Sequence, residues 1–593
     1  MTEWWVEETG GRDDLPLWTR SHASDLFPGP VMPLDFDLLV KQVAAPAWHG
    51  EFTTRLGFEA SELPPEAETL LGVFGGHVYL NASLLRTWAT RMPALHPDQI
   101  VQAYVSAELP VDEGEPPQDE WEGSAVHRWL RWALLAGDQS ALTAQMAAAV
   151  ATRAERPDFT QLLDDAVFQR VRRLQAVLRP LSVQYLHQML AAAASADVLA
   201  TVCAEMGSPI ASARLLTGMG GVETTASANA LWTLSRLVSH SAPATAGFIS
   251  GLDGIEERLR LSPWPDVTGL LGGVDALVAE IDSVGATSWE LALAGSRSAA
   301  EETLAAIDWL RRSPDDADPG RAMARAAAKR ALAVAEVAEV VASRNGEPGR
   351  QQFLATVRSS ESFVRGRQTA HRAMELVREE LRRALLELGN RAVARNDIEQ
   401  PDDLRLLFAN EVAYYADGGL ATIGELVDHR RERARSVAAD PPAVIDVRHR
   451  GPACGVAYAS PLPVGGSLTG RPVAADVGRG PVRIIDDEST PIDPVQPGSV
   501  LVLRAASTAW LPRLIGAAGV VVESGGLLGH LSILCRELGV PLVTGATGAT
   551  RRLREFAVVE VDGPSGSVTV VNEPPADAGG PVPVTLDPWG VRS

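Results

Sequence analysis

The sequence predicts a multidomain α+β protein in which a large, mainly α-helical region precedes a compact α/β domain. Its 593 residues are enough for several domains of ordinary size. From about residue 120 to 395, apolar residues recur at three- and four-residue spacing, which is typical of amphipathic helices. Beyond about residue 440, short β-branched runs alternate with short helical patterns, which is typical of an α/β domain.

The N-terminal part, residues 1–115, is rich in proline, glycine and aromatic residues. Closely spaced prolines over 18–39 predict an ordered loop that enters a helix. A Gly-Gly turn further along predicts a short strand from His77 to Asn81. We therefore expect this part to fold against the helical region that follows it.

The helical region, residues 116–440, contains two strongly helical stretches, 321–344 and 363–391. Gly389 is predicted to be the C-cap of the second stretch. The most apolar window, 186–206, is interrupted by two acidic residues and predicts a buried helix rather than a membrane span. We therefore expect no membrane partner.

A Pro-Pro pair ends the helical region and predicts a linker over 441–455. The α/β domain is predicted to cover 456–573, and the Pro/Gly-rich stretch 574–593 to be a loose tail. Within the domain, the sequence predicts strands over 481–487, 499–505, 519–524, 541–545, 557–563 and 567–571, and helices over 509–516, 530–538 and 549–555.

The composition excludes several classes of function. The formal net charge of −22 argues against a nucleic-acid partner. Only two residues are lysines, Lys41 and Lys329, and neither follows a glycine-rich loop, so a Walker-type site is excluded. Three cysteines cannot form a disulfide framework, and the first residues lack the pattern of a signal peptide, so we expect a cytoplasmic protein. The histidines and cysteines lack zinc-ligand spacing, so no metal site is predicted.

The segment GVVVESGGLLGHLSILCRELGVPLVTG (519–545) carries the most informative pattern. An apolar strand runs into a glycine pair, and His530 then opens an amphipathic helix that Gly539 ends. The unpaired N–H groups and positive dipole end of a helix favour a negative group and keep an imidazole neutral. This pattern suits a histidine that is itself phosphorylated. It also fits a histidine that caps a helix in an ordinary βαβ unit.

The same segment resembles the phosphohistidine swivelling domain of the phosphoenolpyruvate (PEP)-utilising enzymes, the group of PEP synthase, pyruvate phosphate dikinase and the rifampin phosphotransferases. Its residues match that family's pattern at Gly525, Gly526, His530, Arg536, Glu537, Gly539, Pro541 and Gly545. The segment PGSVLVLRAASTAWLPRL (497–514) is similar to the family's lead-in to this unit. The resemblance therefore predicts that the C-terminal α/β domain is such a swivelling domain.

For the site, the resemblance implies that His530, Arg536 and Glu537 form the catalytic set, with the last two anchoring the helix. It places three glycines, Gly525, Gly526 and Gly529, at the phosphate. Gly529 stands where the family usually has serine or threonine, so a hydroxyl that could bond the phosphoryl group is lost.

The helical region resembles the acceptor-binding part of rifampin-phosphotransferase-like proteins at lower specificity. LWTRSHASDLFPGPVMPL (17–34) is similar to the motif "WTR…E…PGPVTPL", and VFGGHVYLN (73–81) is similar to "GGR.Y.N", with His77 where arginine is usual. VGATSWELA (284–292) is the nearest match to "GHRG..E.EL", but has Ala286-Thr287 in place of His-Arg. The resemblance implies an acceptor-binding domain whose candidate contact residues are Arg20, Asn81 and Glu290.

The resemblance also implies a partner. Family members normally carry an ATP-grasp domain or a PEP-binding barrel that loads the histidine, and this sequence starts where an ATP-grasp domain would have ended. The scarcity of lysine agrees with a nucleotide site elsewhere. We therefore expect this chain to bind no cofactor, a separate ATP-grasp chain to bind ATP and Mg²⁺, and a small hydroxylated molecule to accept the phosphoryl group.

Two other hypotheses stay open. The altered motifs at Gly529, His77 and Ala286-Thr287 also fit a degenerate, non-catalytic paralogue that binds a metabolite or serves as a regulator or scaffold. Alternatively, the phosphorylated product is an intermediate in a coupled dehydration or ligation. Labelling of His530 separates the first alternative from the transferase, and the neighbouring genes separate the second.

Overall fold

The computed structural model describes residues 9–574 with short gaps, and it has the multidomain α+β architecture that the sequence predicts. The gaps are residues 64–69, 93–94, 105–123, 136–137, 208, 221–222, 282–288, 292–298, 421–422, 436, 438–440, 449–450, 453–459, 475, 486–496 and 506–510. Ala286-Thr287, and all of the predicted tail beyond residue 574, lie outside the described residues.

The strands of the described residues form two sheets. The N-terminal sheet contains β1 (Leu17–Thr19), β2 (Leu71–Phe74), β3 (His77–Asn81), β4 (Val444–Asp446) and β5 (Gly451–Pro452). The C-terminal sheet contains β6 (Ser467–Thr469), β7 (Arg471–Pro472), β8 (Val477–Ile485), β9 (Val500–Ala505), β10 (Gly519–Ser524), β11 (Leu542–Thr544), β12 (Val558–Asp562) and β13 (Ser567–Asn572).

Helices dominate the chain between the two sheets. The α-helices are α1 (Ala23–Leu26), α2 (Pro33–Asp35), α3 (Ala45–Thr54), α4 (Ala82–Thr90), α5 (Pro97–Gln102), α6 (Ala125–Leu134), α7 (Ser140–Ala154), α8 (Asp164–Glu205), α9 (Pro209–Leu215), α10 (Glu223–His240), α11 (Ala242–Ile249), α12 (Ile255–Arg260), α13 (Pro265–Ile281), α14 (Ala299–Leu310), α15 (Pro319–Ala394), α16 (Ala409–Ala416), α17 (Gly424–Arg435), α18 (Leu511–Leu514), α19 (His530–Leu538) and α20 (Ala549–Arg552). A π-helical segment, Phe36–Ala44, joins α2 to α3, and short 3₁₀ turns lie at Phe159–Gln161, Asp315–Ala317 and Pro401–Leu406.

The N-terminal sheet is antiparallel, in the order β2-β3-β1-β4-β5. Strand β3 has the bounds that the sequence predicts. The segment 441–455, predicted to be a linker, contributes β4 and β5 to this sheet, with Ile445 opposite Trp18. The pairing is favourable because Val444 and Ile445 are β-branched and Val444 is buried. The first part of the predicted linker is therefore fixed to the N-terminal sheet.

The long helices α8 and α15 share one hydrophobic core with the N-terminal elements. Among the described helices, α8 alone is long and apolar enough to cross a membrane, but 72% of its most apolar window is buried inside the protein. The sequence prediction of a buried helix over 186–206 is confirmed. These two helices form the platform on which the C-terminal domain rests.

The C-terminal end of helix α15 differs from the sequence prediction. Gly346, with a φ of 71°, breaks it into two helical segments, as the Gly and Pro of this stretch allow. The prediction that Gly389 caps the second segment is wrong, since the helix continues to Ala394. A β-carbon on Gly389 would lie 2.8 Å from the carbonyl oxygen of Pro401, so the glycine is explained by close packing rather than by capping.

The C-terminal sheet has the order β6-β13-β12-β8-β9-β10-β11-β7. Strands β8 to β11 are parallel, and the strands beyond them on each side are antiparallel. The predicted strands and helices are confirmed, with ends shifted by a few residues. One face of the sheet shares a core with α10–α14, and the other has a core of its own. Strand β10 therefore lies inside the parallel part, and its carboxyl end leads into the turn before α19.

We expect Gly389→Ala to lower Tm, because the added methyl group would overlap the backbone of Pro401. Gly272→Ala is the matched control, since Gly272 is an exposed residue inside α13 with open space at its β-carbon position. Alanine there should stabilise the protein by about 0.5–1 kcal/mol. Thermal unfolding followed by circular dichroism measures both variants, and an equal rise in Tm for the two would contradict the close packing at Pro401.

Candidate functional site

His530 is the first residue of α19, and it lies at the end of the turn that follows β10. Gly529 is the N-cap, in an extended conformation, and Gly539 ends the helix with a φ of 67°. The turn tightens through a hydrogen bond from the Gly529 N–H to the Gly526 carbonyl (3.0 Å). This local geometry places the imidazole at the positive end of the helix dipole. His530 is nonetheless only 6% exposed, because the helical region covers it.

A single hydrogen bond fixes the tautomer of His530. Its Nδ1 lies 3.1 Å from Oε1 of Gln368, on α15. An amide oxygen only accepts, so Nδ1 carries the proton and donates it to Gln368. Nε2 then presents a lone pair, and it is buried without a hydrogen-bond partner among the described residues. The geometry therefore leaves one nucleophilic nitrogen unbonded where the two domains meet.

Burial holds the pKa of His530 well below its ordinary value of about 6.5. Loss of solvent around the ring is the largest cause, and the nearby His371, Arg367 and His22 lower the pKa further. The imidazole is therefore neutral at pH 7, which is the protonation state that a nitrogen nucleophile needs.

Helix α15 supplies two more side chains next to His530. The ring centroid of His371 lies 4.1 Å from that of His530. His371 Nδ1 lies 3.3 Å from Oε1 of Glu375, and its Nε2 has no hydrogen-bond partner among the described residues. Arg367, fully buried, donates from Nη1 to the carbonyl of Leu528, while its Nε and Nη2 are buried without an acceptor in the described part of the chain. The site thus contains a guanidinium group with two nitrogens that can donate to a ligand.

Aromatic rings hold Arg367 in place. Its guanidinium carbon lies 5.5 Å from the ring centroid of Tyr104 and 5.9 Å from that of Tyr185. Burial lowers the pKa of an arginine, but these two phenol groups act against that effect, and the net pKa of Arg367 is raised. The guanidinium therefore stays charged in an environment with little water.

Helix α1 and the residue before it supply a histidine–carboxylate pair. His22 Nδ1 lies 3.5 Å from Oδ2 of Asp25, and His22 Nε2 lies 3.3 Å from the hydroxyl of Tyr185. Burial lowers the pKa of His22 and raises that of Asp25. A β-carbon on Gly529 would lie 3.5 Å from Oδ2 of Asp25, so the carboxyl group borders the turn that presents His530.

The sequence predictions missed these side chains of the helical region. Arg367, Gln368 and His371 lie within an Arg/Glu-rich helix, and a charge run of this kind is typical of a solvated helix face. Asp25 had a signal, since it is the one acidic residue between Arg20 and the Pro-Gly-Pro of the motif over 17–34.

Gly526 determines how closely the two domains approach. A β-carbon on Gly526 would lie 2.5 Å from both the carbonyl oxygen of Ala103 and the Cα of Tyr104. The N–H of Leu528 donates to the same carbonyl (2.9 Å), and Leu528 and Ile533 enter the hydrophobic core of the helical region. Absence of a side chain at position 526 therefore permits the contact that buries His530.

The other two glycines predicted at the phosphate occupy the same turn. Gly525 follows β10, and Gly529 uses its N–H in the turn, so this N–H is not available to a phosphate in the docked arrangement. Space at Gly529 is limited, because a β-carbon would lie 3.2 Å from the Gly526 carbonyl oxygen.

Arg536 and Glu537, predicted to act with His530, make contacts away from it. Arg536 is buried and its Nε donates to the carbonyl of Val473 (2.8 Å), while burial lowers its pKa to about 10. The two oxygens of Glu537 accept from the N–H groups of Met219 (2.7 Å) and Gly220 (2.9 Å) in the helical region. Both residues therefore anchor α19, and Glu537 also ties the C-terminal domain to the helical region.

The candidate acceptor residues have structural contacts. Arg20 donates to the carbonyls of Phe27, Pro28 and Val78 and so fixes the loop after α1. Asn81 caps α4 by accepting from the Leu84 N–H (2.9 Å).

Glu290 accepts from the N–H of Gly29 (3.3 Å). Of these three candidates, Arg20 lies close enough to Asp25 and Glu290 to interact with both electrostatically. His77 is buried in β3.

Comparison with known proteins assigns the C-terminal domain. Residues 495–566 match the family described as "PEP-utilising enzyme, mobile domain". The chain therefore carries a C-terminal domain that matches the mobile domain of the PEP-utilising enzymes.

Several curated proteins are similar over part of the chain. An uncharacterized protein of Mycobacterium tuberculosis is 36% identical over 191 residues, which is 32% of this chain and 21% of that protein. An uncharacterized phosphotransferase of Bacillus subtilis is 36% identical over 105 residues (18% and 12%). A rifampicin phosphotransferase of Streptomyces sviceus is 32% identical over 148 residues (25% and 17%). The chain thus spans about a fifth or less of the length of these relatives.

We expect Gly526→Ala to separate the two domains, because its methyl group would overlap the backbone at Ala103 and Tyr104. Small-angle scattering should show a larger radius of gyration, and hydrogen exchange should rise in α19. The control is Glu560→Ala, at an exposed position of β12. A compact Gly526→Ala protein with unchanged exchange would contradict the docking contact.

We expect the stability difference between the wild type and His530→Gln to depend on pH. The folded-state pKa of His530 is depressed, so the unfolded chain binds a proton that the folded chain excludes as the pH falls below about 6.5. His22, His371, Arg367 and Arg378 lie near the ring, and their electrostatic effect lowers the pKa of His530 in the same direction. The wild type should therefore lose Tm faster than the variant between about pH 6.5 and pH 5. Parallel Tm curves over this range would contradict a neutral, buried His530.

Proposed function

We propose that this chain is a phosphotransferase component that carries a phosphoryl group on Nε2 of His530. The group comes from ATP on a separate ATP-grasp chain and passes to a small hydroxylated acceptor. The observation that carries the proposal is the neutral imidazole whose Nδ1 is bonded to Gln368 and whose Nε2 is buried without a partner. The family of the mobile domain and the names of its relatives support the phosphotransferase class.

In the first step, Nε2 attacks a phosphorus of the nucleotide and the bond to the leaving phosphate oxygen breaks. By analogy with the family, the β-phosphate is transferred and AMP and phosphate are released. The hydrogen bond from Nδ1 to Gln368 cannot guide this step, because it exists only in the docked arrangement. The described structure therefore corresponds to the second step, in which the phosphoryl group leaves the histidine.

In the second step, Arg367 is placed to stabilise the charge of the moving phosphoryl group. Its Nε and Nη2 have no acceptor among the described residues and lie in a buried site, where an electrostatic interaction is stronger than in water. His371 supplies a second unused nitrogen beside the His530 ring. The guanidinium group can also form two parallel hydrogen bonds to phosphoryl oxygens.

Burial of His530 implies that the mobile domain leaves the helical region to be loaded. A nucleotide site on another chain cannot reach a ring that is 6% exposed. The interface contains contacts that can break as a unit, among them the hydrogen bonds of Glu537 to Met219 and Gly220. Movement between two rigid positions is a common way to serve two sites with one carrier.

The loss of the hydroxyl at Gly529 does not by itself favour a degenerate protein. A side chain there would crowd the Gly526 carbonyl, so the tight turn before His530 favours glycine at this position. The buried donors of Arg367 are also costly to keep without a ligand. These features favour a working transfer site over a scaffold.

We expect His530 to take a label from ATP labelled at the β-phosphate when the chain is mixed with an ATP-grasp chain encoded next to it. The label should be acid-labile and base-stable, and His530→Ala should abolish it. His240→Ala is the control, because His240 is exposed at the end of α10 and should leave labelling unchanged. No label on the wild type, with a donor shown to release AMP, would rule out the carrier role.

A further inference from the structure

The buried carboxyl group of Asp25 is not explained by the fold. Its side chain is 4% exposed, yet neither oxygen has a hydrogen-bond partner among the described residues. A carboxyl group taken out of water is normally held by several donors, because leaving it unsatisfied is costly. In the described part of the chain, the Asp25 side chain accepts no hydrogen bond from a helix end or a loop. Its polar atoms are therefore available to a ligand.

The surrounding positive groups do not neutralise Asp25 directly. His22, at 3.5 Å, is its one ion-pair partner in the described residues, and burial lowers the pKa of this histidine. Arg20 donates to three backbone carbonyls, and Arg367 donates to the Leu528 carbonyl. Burial in turn raises the pKa of Asp25, so its carboxylate is a stronger base than an exposed carboxylate and accepts a proton more readily.

Asp25 lies next to the turn that presents His530, the proposed carrier of the phosphoryl group. Its Oδ2 lies 3.5 Å from the place of a β-carbon on Gly529, the residue before His530. Arg367 lies near enough to interact electrostatically with both Asp25 and His530. The site therefore contains a donor for phosphoryl oxygens, a nucleophilic histidine and, at its border, an acceptor for a proton.

We propose that Asp25 accepts the proton of the acceptor hydroxyl group during phosphoryl transfer, and that its charge selects acceptors whose reacting end is not anionic. This inference rests on the proposed carrier function of His530. The acceptor oxygen forms a bond to phosphorus while the bond from phosphorus to Nε2 of His530 breaks. The electron pair of that bond returns to Nε2, and the hydroxyl proton moves to a carboxylate oxygen of Asp25.

The selection follows from charge and hydrogen-bond chemistry. A carboxylate only accepts, so it requires a donor on the incoming group, which an alcohol supplies. A second carboxylate or phosphate at the reacting end would meet like charge in a buried site, where repulsion is strong. The chemical class is therefore a neutral or cationic alcohol rather than a carboxylate or phosphate.

The test separates loading of His530 from its discharge. The full chain is loaded chemically with phosphoramidate, and phosphohistidine is followed by ³¹P NMR. The loaded protein then receives either ethylene glycol or glycolate, two small primary alcohols that differ in charge. Formation of each phosphate ester is measured for the wild type, Asp25→Asn, Asp25→Glu and the control Asp417→Asn, whose carboxyl group is exposed at the end of α16.

We expect the wild type and Asp417→Asn to phosphorylate ethylene glycol at least about tenfold faster than glycolate. Asp25→Asn should accept the phosphoryl group but pass it to ethylene glycol about 100-fold more slowly, which is the usual size of a lost general base. Its preference between the two alcohols should also disappear. Asp25→Glu should restore part of the rate, which a purely structural role of Asp25 would not predict.

Each other outcome is decisive. Equal discharge by the wild type and Asp25→Asn, including an equal lack of transfer, would overturn the role of Asp25. So would a folded Asp25→Asn protein that cannot be loaded, because the carboxyl group would then act before transfer. If the wild type and His530→Ala take up phosphoryl groups equally, or neither takes one up, the carrier function itself is wrong.

Discussion

The burial of one uncharged imidazole between two domains is the constraint on which the rest of the site depends. His530 is neutral because solvent is removed from it, and solvent is removed because α19 docks against α15 and the N-terminal elements. The hydrogen bond that fixes its tautomer is accepted by Oε1 of Gln368, on the other side of this interface. Neither domain alone therefore defines the reactive atom, and the chemistry of the histidine changes when the domains separate.

The two domains make unequal contributions. The mobile domain brings a nucleophile on a rigid strand–turn–helix unit, in which Arg536 and Glu537 hold the helix rather than the reacting group. The helical region brings the polar and charged surroundings, since Arg367, His371, Asp25 and His22 all belong to it. A carrier built in this way can leave its charged surroundings behind and meet a different set on another protein. Under the proposed function, this division separates a compact carrier domain from a larger region that binds the acceptor.

The sequence was informative wherever a local pattern determines the structure. The strands and helices of the C-terminal domain follow from β-branched runs and glycine turns, and the position of His530 follows from the glycine pair before it. The neighbours of His530 could not be found in this way, because Arg367 and His371 lie far away in the chain, on a helix whose charges look like a solvated surface. Gly389 has the sequence pattern of a helix cap. Its actual role, close packing against Pro401, is a tertiary contact that the local sequence does not reveal.

The pairing of β4 and β5 with the N-terminal sheet has a consequence for where a donor can act. The mobile domain is joined to this sheet by the chain between Pro452 and Leu462, because the Leu462 N–H already donates to the Arg552 carbonyl within the mobile domain. Fully extended, this leash spans at most about 35 Å. A tethered carrier searches a small volume at an effective concentration of the order of millimolar, so repeated visits need no tight binding. The proposed donor chain must then bind within the distance that the leash allows, and its affinity for this chain can be low.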